Sequence, residues 1–215
     1  MSGSYWDDFE EYQQEEYPIS DFVEELADRT ESAFGDIGDD YFPAYLGIDN
    51  AVKLYSLIRH KKPEIVVETG VCNGMSSAVI LKALKDNERG RLYSVDLPVE
   101  AGTIEDRKGA VIPPGKSSGW LVTEDLKDIW ELNLGNTFYE LSKVFEEVGE
   151  IDMFIHDSGH AYEIMMFEFG IAWYHLREGG SLLADNTDKN LAFKDFARAK
   201  ERQVYRMNKL AIMER

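Results

Sequence analysis

The chain has 215 residues, 44% of them hydrophobic, and a formal net charge of −18 from 41 acidic and 23 basic side chains. That length fits one sizeable domain. A surface so acidic repels phosphate backbones and anionic lipids, which makes nucleic acid and membrane surfaces poor candidate partners. The single cysteine, Cys72, supports neither an internal disulfide framework nor a cysteine-built zinc site. No apolar run approaches the ~20 residues of a membrane helix. The opening residues have neither a basic segment nor an apolar segment of a signal peptide, so the expectation is a cytoplasmic protein.

In chain order, residues 1–18 are rich in Asp, Glu, Gln and aromatics. They offer too little apolar surface to offset chain entropy, which predicts a mobile arm ahead of a single domain over 19–215. Ser20-Asp21 opens an amphipathic helix through Phe22, Val23, Leu26 and Ala27, and a second helix is expected from Ile48 to His60. Strand and helix then alternate. Strands are expected at Glu64–Glu68, Arg91–Asp96, Glu131–Leu134, Ile151–His156 and Ser181–Ala184. Helices are expected at Met75–Leu84, Val122–Trp130, Phe138–Val148, Ala161–Leu176 and Leu191–Lys200. Val204–Met207 and Leu210–Met213 would close the sheet as an antiparallel hairpin. The segment 97–119, rich in Gly and Pro, reads as a long loop and a candidate substrate lid. The pattern predicts an α/β fold, a doubly wound and mostly parallel seven-stranded sheet with helices on both faces and N-terminal helices added. Ligands of such sheets bind outside the carboxyl ends of the strands.

Those ends carry the chemistry. The first strand runs into Glu68-Thr69-Gly70-Val71-Cys72-Asn73-Gly74-Met75-Ser76. Gly70 and Gly74 allow a tight turn whose backbone N–H groups approach a ligand at a helix N-terminus. The spacing is Gly-x-x-x-Gly, without the third glycine of a dinucleotide fingerprint, and the acid before it would repel a pyrophosphate. The ligand implied has a nucleoside and a positive charge. Asp96, ending the second strand, can accept hydrogen bonds from both ribose hydroxyls. Gly135-Asn136-Thr137 follows the third strand, where Asn136 is also a natural N-cap. Asp157 at the fourth strand end and Asp185-Asn186 at the fifth bring three oxygen ligands toward one point. That set suits a hard divalent cation such as Mg²⁺; a metal-free pocket shaped by the same acids is the alternative. His160 is a candidate general base; a helix cap or a group orienting a carboxylate is the alternative.

Pro114-Gly115-Lys116-Ser117 lacks the first glycine of a phosphate loop, Ala110 standing in its place. Cys72 has no activating partner in the sequence. Met165, Met166, Phe167, Phe169 and Trp173 have the spacing of core residues.

Glu-Thr-Gly-x-x-x-Gly-x-Ser resembles motif I of class I S-adenosylmethionine-dependent methyltransferases, and the likeness extends from about Ile48 onward. It implies a cofactor site built from Glu68, Thr69, Gly70, Asn73, Gly74 and Ser76, with Asp96 on the ribose and Gly135, Asn136 and Thr137 beside the adenine. Asp157…Asp185-Asn186 resembles the metal site of cation-dependent O-methyltransferases. Asp157-x-x-His160-x-Tyr162-Glu163 resembles the Asp-Gly-Asp-His-x-Tyr-Glu signature of small-molecule O-methyltransferases of the methyltransferase domain 24-like group. Gly159 stands where that signature has its second aspartate, a candidate base, so His160 takes its place in this reading, with Asp157 beside it. The resemblance implies methyl transfer to a small-molecule hydroxyl, S-adenosylmethionine and Mg²⁺ as cofactors, and leaves a homo-oligomer open. A cephalosporin hydroxylase-like oxygenase and a non-catalytic cofactor-binding protein share the fold and remain alternatives.

Overall fold

The structure, a computed structural model, describes residues 19–37, 40–41, 46–105, 107, 109–207 and 209–215. The acidic arm therefore lies outside the described residues. Helices α1 (Ser20–Gly35) and α2 (Ile48–Lys61) precede β1 (Ile65–Thr69), α3 (Met75–Asp86) and β2 (Arg91–Asp96). After a long loop come a short 3₁₀ helix (Glu124–Ile129), β3 (Trp130–Leu134), α4 (Thr137–Val148) and β4 (Ile151–His156). The chain ends with α5 (Tyr162–His175), β5 (Leu176–Ala184), α6 (Ala192–Ala199), β6 (Tyr205–Met207) and β7 (Leu210–Glu214). The seven strands form one sheet in the order β3-β2-β1-β4-β5-β7-β6, with β7 antiparallel to both of its neighbours. This is the expected doubly wound, mostly parallel architecture.

The pleat explains why both faces are apolar. Val66, Leu92, Met153, Ile155, Leu183 and Ile212 project to one side, under α1, α2 and α3. Their neighbours Val67, Val95, Phe154, Leu182, Ala184 and Ala211 project to the other, under α4, α5 and α6. Side chains alternate across a strand, so a sheet covered on both faces needs apolar residues at successive positions. The same alternation sends Glu68 toward α3 and Thr69 toward α5, with consequences for the site. Helix α3 is buried at nine positions, among them Ala78, Val79, Ile80, Leu81 and Leu84, because it fills the space between β1 and the two N-terminal helices.

Two elements differ from the sequence expectation. The segment expected as helix at Val122–Trp130 is a single 3₁₀ stretch, and Trp130 already pairs with Leu92 as the first residue of β3. Strand β5 begins at Leu176, opposite Ile151, rather than at Ser181. The register then shifts so that Ser181 faces Met153, and the polar run Arg177-Glu178-Gly179-Gly180 accommodates the bulge, with Gly179 at φ +77°.

The 97–119 segment is mostly irregular, yet tied to the sheet. Glu100 and Ile112 form an isolated bridge, and Val111 and Ile112 are buried. Among the described residues no helix is long and apolar enough to cross a membrane.

Candidate active site

The carboxyl ends of β1, β2, β4 and β5 converge, as parallel register requires: Thr69 pairs with Val95 on one side and His156 on the other, and His156 with Ala184. The turn after β1 is shaped by close backbone approach. Gly70 adopts φ +85°, and a Cβ there would lie 2.1 Å from the Asp157 carbonyl oxygen. Gly74 adopts φ +92°, where a Cβ would meet the Cα of Gly119 at 2.7 Å. Glycine is the residue that tolerates both the left-handed conformation and the crowding.

Asp96 fastens this turn. Its Oδ1 accepts from the Val71 and Cys72 N–H groups at 2.9 and 3.2 Å, and its Oδ2 from Ser118 Oγ at 2.5 Å. Asn73, nearly fully buried, ties the turn to the long loop: Nδ2 donates to the Val111 carbonyl, and Oδ1 accepts from Trp120 Nε1 at 2.8 Å. Gly119 and Leu121 add backbone bonds to Cys72 and Asn73. The end of the expected lid is thus stitched to the glycine turn itself.

Glu68 lies beneath the turn. It is fully buried, and its carboxylate accepts hydrogen bonds from Ser76, Ser77 and Ser94 at 2.6, 2.6 and 2.9 Å. Burial pushes its carboxyl above the ordinary carboxylate range, and the serine hydroxyls offset only part of that rise. The expectation of direct contact between Glu68 and a cationic ligand group is not what the geometry presents: Glu68 lines neither cavity at the strand ends. Pleat alternation is the reason, since β1 turns this side chain under the first turn of α3.

Two cavities open above the strand ends and share Gly70, Cys72, Asp157 and Ser158 in their walls. The first, about 260 Å³, brings together Asp96, Leu97, Asn136, Thr137, Phe138 and Ile164. Asn136 caps α4, its Oδ1 accepting from the Phe138 N–H at 2.9 Å. Leu97 and Phe138 are 60% and 45% exposed, apolar surfaces that flank the Asp96 and Asn136 positions. Sequence reasoning missed both, although each lies within two residues of a position it named. The second cavity, about 570 Å³, brings together Ser76, His160, Asp185 and Asn186 with Met75 and Lys209. Thr69, Asn73 and Gly135 line neither cavity.

Asp157 and Asp185 stand at adjacent strand ends, in a cavity that Arg107 and Lys209 also line, with no ion pair to either acid among the described residues. Burial, then the charge of Asp185, raises the Asp157 carboxyl well above its ordinary value. Oδ1 of Asp185 is buried and accepts no hydrogen bond among the described residues, while Oδ2 accepts from Asn186 Nδ2 at 2.6 Å. Asn186 sits at φ +51°, and the same amide nitrogen approaches His160 Nε2 at 3.4 Å. Burial, and next to it His156, lowers the His160 imidazole below its ordinary value. Cys72, expected to be inert, has its thiol pushed up to about 12 by burial and then by Asp96. Among the described residues no three His, Cys, Asp or Glu side chains group to hold a metal. The oxygen set that remains is two carboxylates and one amide, with one carboxylate oxygen unpartnered. That donor chemistry fits a hard cation rather than iron held by two histidines and an acid.

Behind this wall is a network the sequence did not reveal. Glu168 on α5 is fully buried; its Oε2 takes hydrogen bonds from Thr69 Oγ1 at 2.6 Å and His156 Nδ1 at 2.7 Å, and its Oε1 from Ser158 Oγ at 2.7 Å. Burial raises the carboxyl, but the bonds from His156, Thr69 and Ser158 outweigh it and leave Glu168 below its ordinary value. A carboxyl depressed in the folded state stabilises above its unfolded pKa of about 4.3, and that contribution is lost as pH falls through the folded value. Glu168→Gln is therefore expected to cost about 2–4 kcal/mol at neutral pH. Its stability should also fall less steeply than wild type between about pH 5 and pH 3. Urea unfolding across that range measures both, and parallel curves for the two proteins would refute the assignment.

The strand order, the glycine turn and the acid-lined strand ends define the class I methyltransferase fold, and the comparisons agree. A family model described as methyltransferase domain matches residues 67–187, more than half of the chain. The chain belongs to this methyltransferase domain family, and with it to the class I S-adenosylmethionine-dependent methyltransferases. No match is found among curated proteins. Among solved structures, the S-adenosylhomocysteine-bound methyltransferase PaMTH1 of Podospora anserina superposes with a TM-score of 0.65 at 12% identity, over 100% of this chain and 97% of that one. The O-methyltransferase TomG of Streptomyces achromogenes, involved in tomaymycin synthesis and bound to S-adenosylmethionine, gives 0.59 at 16% identity over 88% of each chain. MycE, a methyltransferase of the mycinamycin pathway in complex with Mg and S-adenosylhomocysteine, gives 0.52 at 14% identity over 74% of this chain and 46% of that one. At these identities the likeness is one of fold.

Proposed function

We propose that the protein transfers the methyl group of S-adenosylmethionine to a hydroxyl oxygen of a small molecule, assisted by a divalent cation. The observation that carries this reading is that Asp157 and Asp185, the latter with one buried oxygen unpartnered among the described residues, line one cavity with His160, and that this cavity shares its wall with the Asp96 cavity. Asp96 and Asn136 hold the nucleoside of the cofactor, Leu97 and Phe138 flank its base, and Gly70, Cys72 and Gly74 of the turn line the cavities that take its methionine end. Glu68 acts one layer down, fixing that turn through Ser76 and Ser77.

The cofactor supplies an electrophilic methyl group on a sulfonium. Asp157, Asp185 and the Asn186 amide oxygen would hold the cation, which supplies a lowered pKa to a hydroxyl bound beside it. His160 Nε2 receives the hydroxyl proton, its low basicity keeping the ring neutral and ready at physiological pH. The walls of the two cavities bring acceptor oxygen and methyl carbon into line, so the chain contributes chiefly alignment and electrostatics. MycE, a neighbour of the same fold solved with Mg, supports the metal part of this reading.

The test is S-adenosylmethionine titration followed by a methyl-transfer assay on phenol, sugar and polyketide hydroxyls. An Asp157→Ala, Asp185→Ala double variant is expected to lose about 10²-fold or more in kcat, and chelator should inhibit the wild type to a similar degree. Full, chelator-insensitive turnover by the double variant would overturn the metal-assisted mechanism.

A further inference from the structure

The mechanism above uses His160 and leaves the buried Glu168–His156 pair idle. Four observations connect them. His156 Nδ1 lies 2.7 Å from Glu168 Oε2, and because a carboxylate oxygen accepts, this nitrogen carries the proton. In the neutral ring His156 Nε2 is then an acceptor, and it is buried with no hydrogen-bond partner among the described residues. His160 Nε2 faces the Asn186 amide nitrogen, a donor, so the ring's proton belongs on Nδ1. That Nδ1 is also buried without a partner among the described residues. An orphan acceptor and an orphan donor thus occur on two rings whose centroids are 5.8 Å apart, packed edge to face.

The geometry points to a carboxylate–imidazole–imidazole relay, Glu168–His156–His160, in which His160 Nδ1–H donates to His156 Nε2 through one bridging water. This rests on the reading of His160 as the base. Buried polar atoms are as a rule paired, and a base oriented through its second nitrogen by another group is a recurrent catalytic arrangement. Glu168 and His156 are positioning residues here. They fix His160 as the Nδ1–H tautomer, leaving the Nε2 lone pair to accept the acceptor hydroxyl's proton as the O–CH₃ bond forms and the S–CH₃ bond breaks. The imidazolium so formed keeps its Nδ1–H directed at His156, and the ionised Glu168 stabilises the charge from behind.

The experiment reads tautomers by ¹⁵N NMR of the full chain labelled in its four histidines, before any cofactor is added. His160 is expected in the Nδ1–H form in the wild type. His156→Phe should lose that bias, and His156→Gln, whose carbonyl oxygen can accept from Nδ1–H, should restore it. Thr69→Val removes a different Glu168 bond and should leave the His160 tautomer unchanged, as a purely structural network would not predict for His156→Phe. In the methyl-transfer assay His156→Phe should lower kcat about tenfold with acceptor KM nearly constant. An Nε2–H tautomer for His160 in the wild type, or an unchanged tautomer in His156→Phe, overturns the relay. Should His156→Phe not fold, the wild-type and His156→Gln spectra decide alone. A protein with the expected tautomers but no methyl transfer would instead count against the proposed function and leave the relay standing.

Discussion

Replacing Gly70 with alanine is expected to destabilise the fold by at least about 4 kcal/mol and to weaken S-adenosylhomocysteine binding by more than about 100-fold. The left-handed backbone at φ +85° costs an L-residue about 1–2 kcal/mol on its own. The larger part comes from position. A Cβ at Gly70 would sit 2.1 Å from the Asp157 carbonyl oxygen and 2.5 Å from its carbonyl carbon. These are backbone atoms of the adjacent strand end, and no rotamer change relieves the clash. Relief requires β1 and β4 to part where Asp157 N–H bonds Thr69, beside the bond from Gly70 N–H to Val95 of β2. Both cavities share this wall, so stability and ligand binding should fall together. Gly115→Ala is the control: φ is +76°, but nothing lies within 4 Å of its Cβ, so only the backbone cost of about 1–2 kcal/mol is expected. Denaturant midpoints and calorimetric titration measure the pair. A Gly70→Ala protein as stable as Gly115→Ala would contradict this account of the turn.

The second large effect is chemical. His160→Ala is expected to lower kcat by about 10²–10⁴-fold while changing cofactor affinity by less than about threefold. The separation follows from placement. His160 lines the larger cavity with Asp185 and Asn186, and the Asp96, Asn136 and Phe138 cavity does not include it. Its ring is half-buried, and only Asn186 reaches its Nε2 among the described residues. Steady-state kinetics at saturating cofactor gives the ratio. Turnover within threefold of wild type would move the proton acceptor away from His160, with Asp157 the next carboxylate in the same wall.

Much of this site could be read from the chain because strand ends and ligand chemistry coincide. Gly70 and Gly74 announced a tight turn, and Asp96, Asp157 and Asp185 each followed an apolar run of strand length. The mostly parallel seven-stranded sheet and its antiparallel end were legible for the same reason: alternating apolar runs and helical stripes admit few topologies. The destinations of individual side chains were harder. Glu68 reads as a ligand contact until pleat parity is counted, and parity turns it under α3 toward Ser76 and Ser77. Glu168 lies in the stretch from Met165 to Trp173, whose apolar spacing hides it. An acid on that face needs a buried partner, and the partner, His156, is twelve residues earlier on a strand. Pairings of that kind depend on how α5 settles against β4, which periodicity does not encode. The 3₁₀ stretch at Glu124–Ile129 was read as helix because five or six residues carry too few turns to tell the two periods apart.

The central claim is that the cavity over Asp96 and the Gly70–Gly74 turn holds the nucleoside cofactor. Isothermal titration of S-adenosylhomocysteine into the wild type and an Asp96→Ala variant tests it most directly. One saturable site per chain is expected, with a Kd in the micromolar range and a loss of about tenfold or more in the variant. Absence of binding up to about 1 mM ligand by a chain that unfolds cooperatively, or equal affinity in the variant, would contradict the claim.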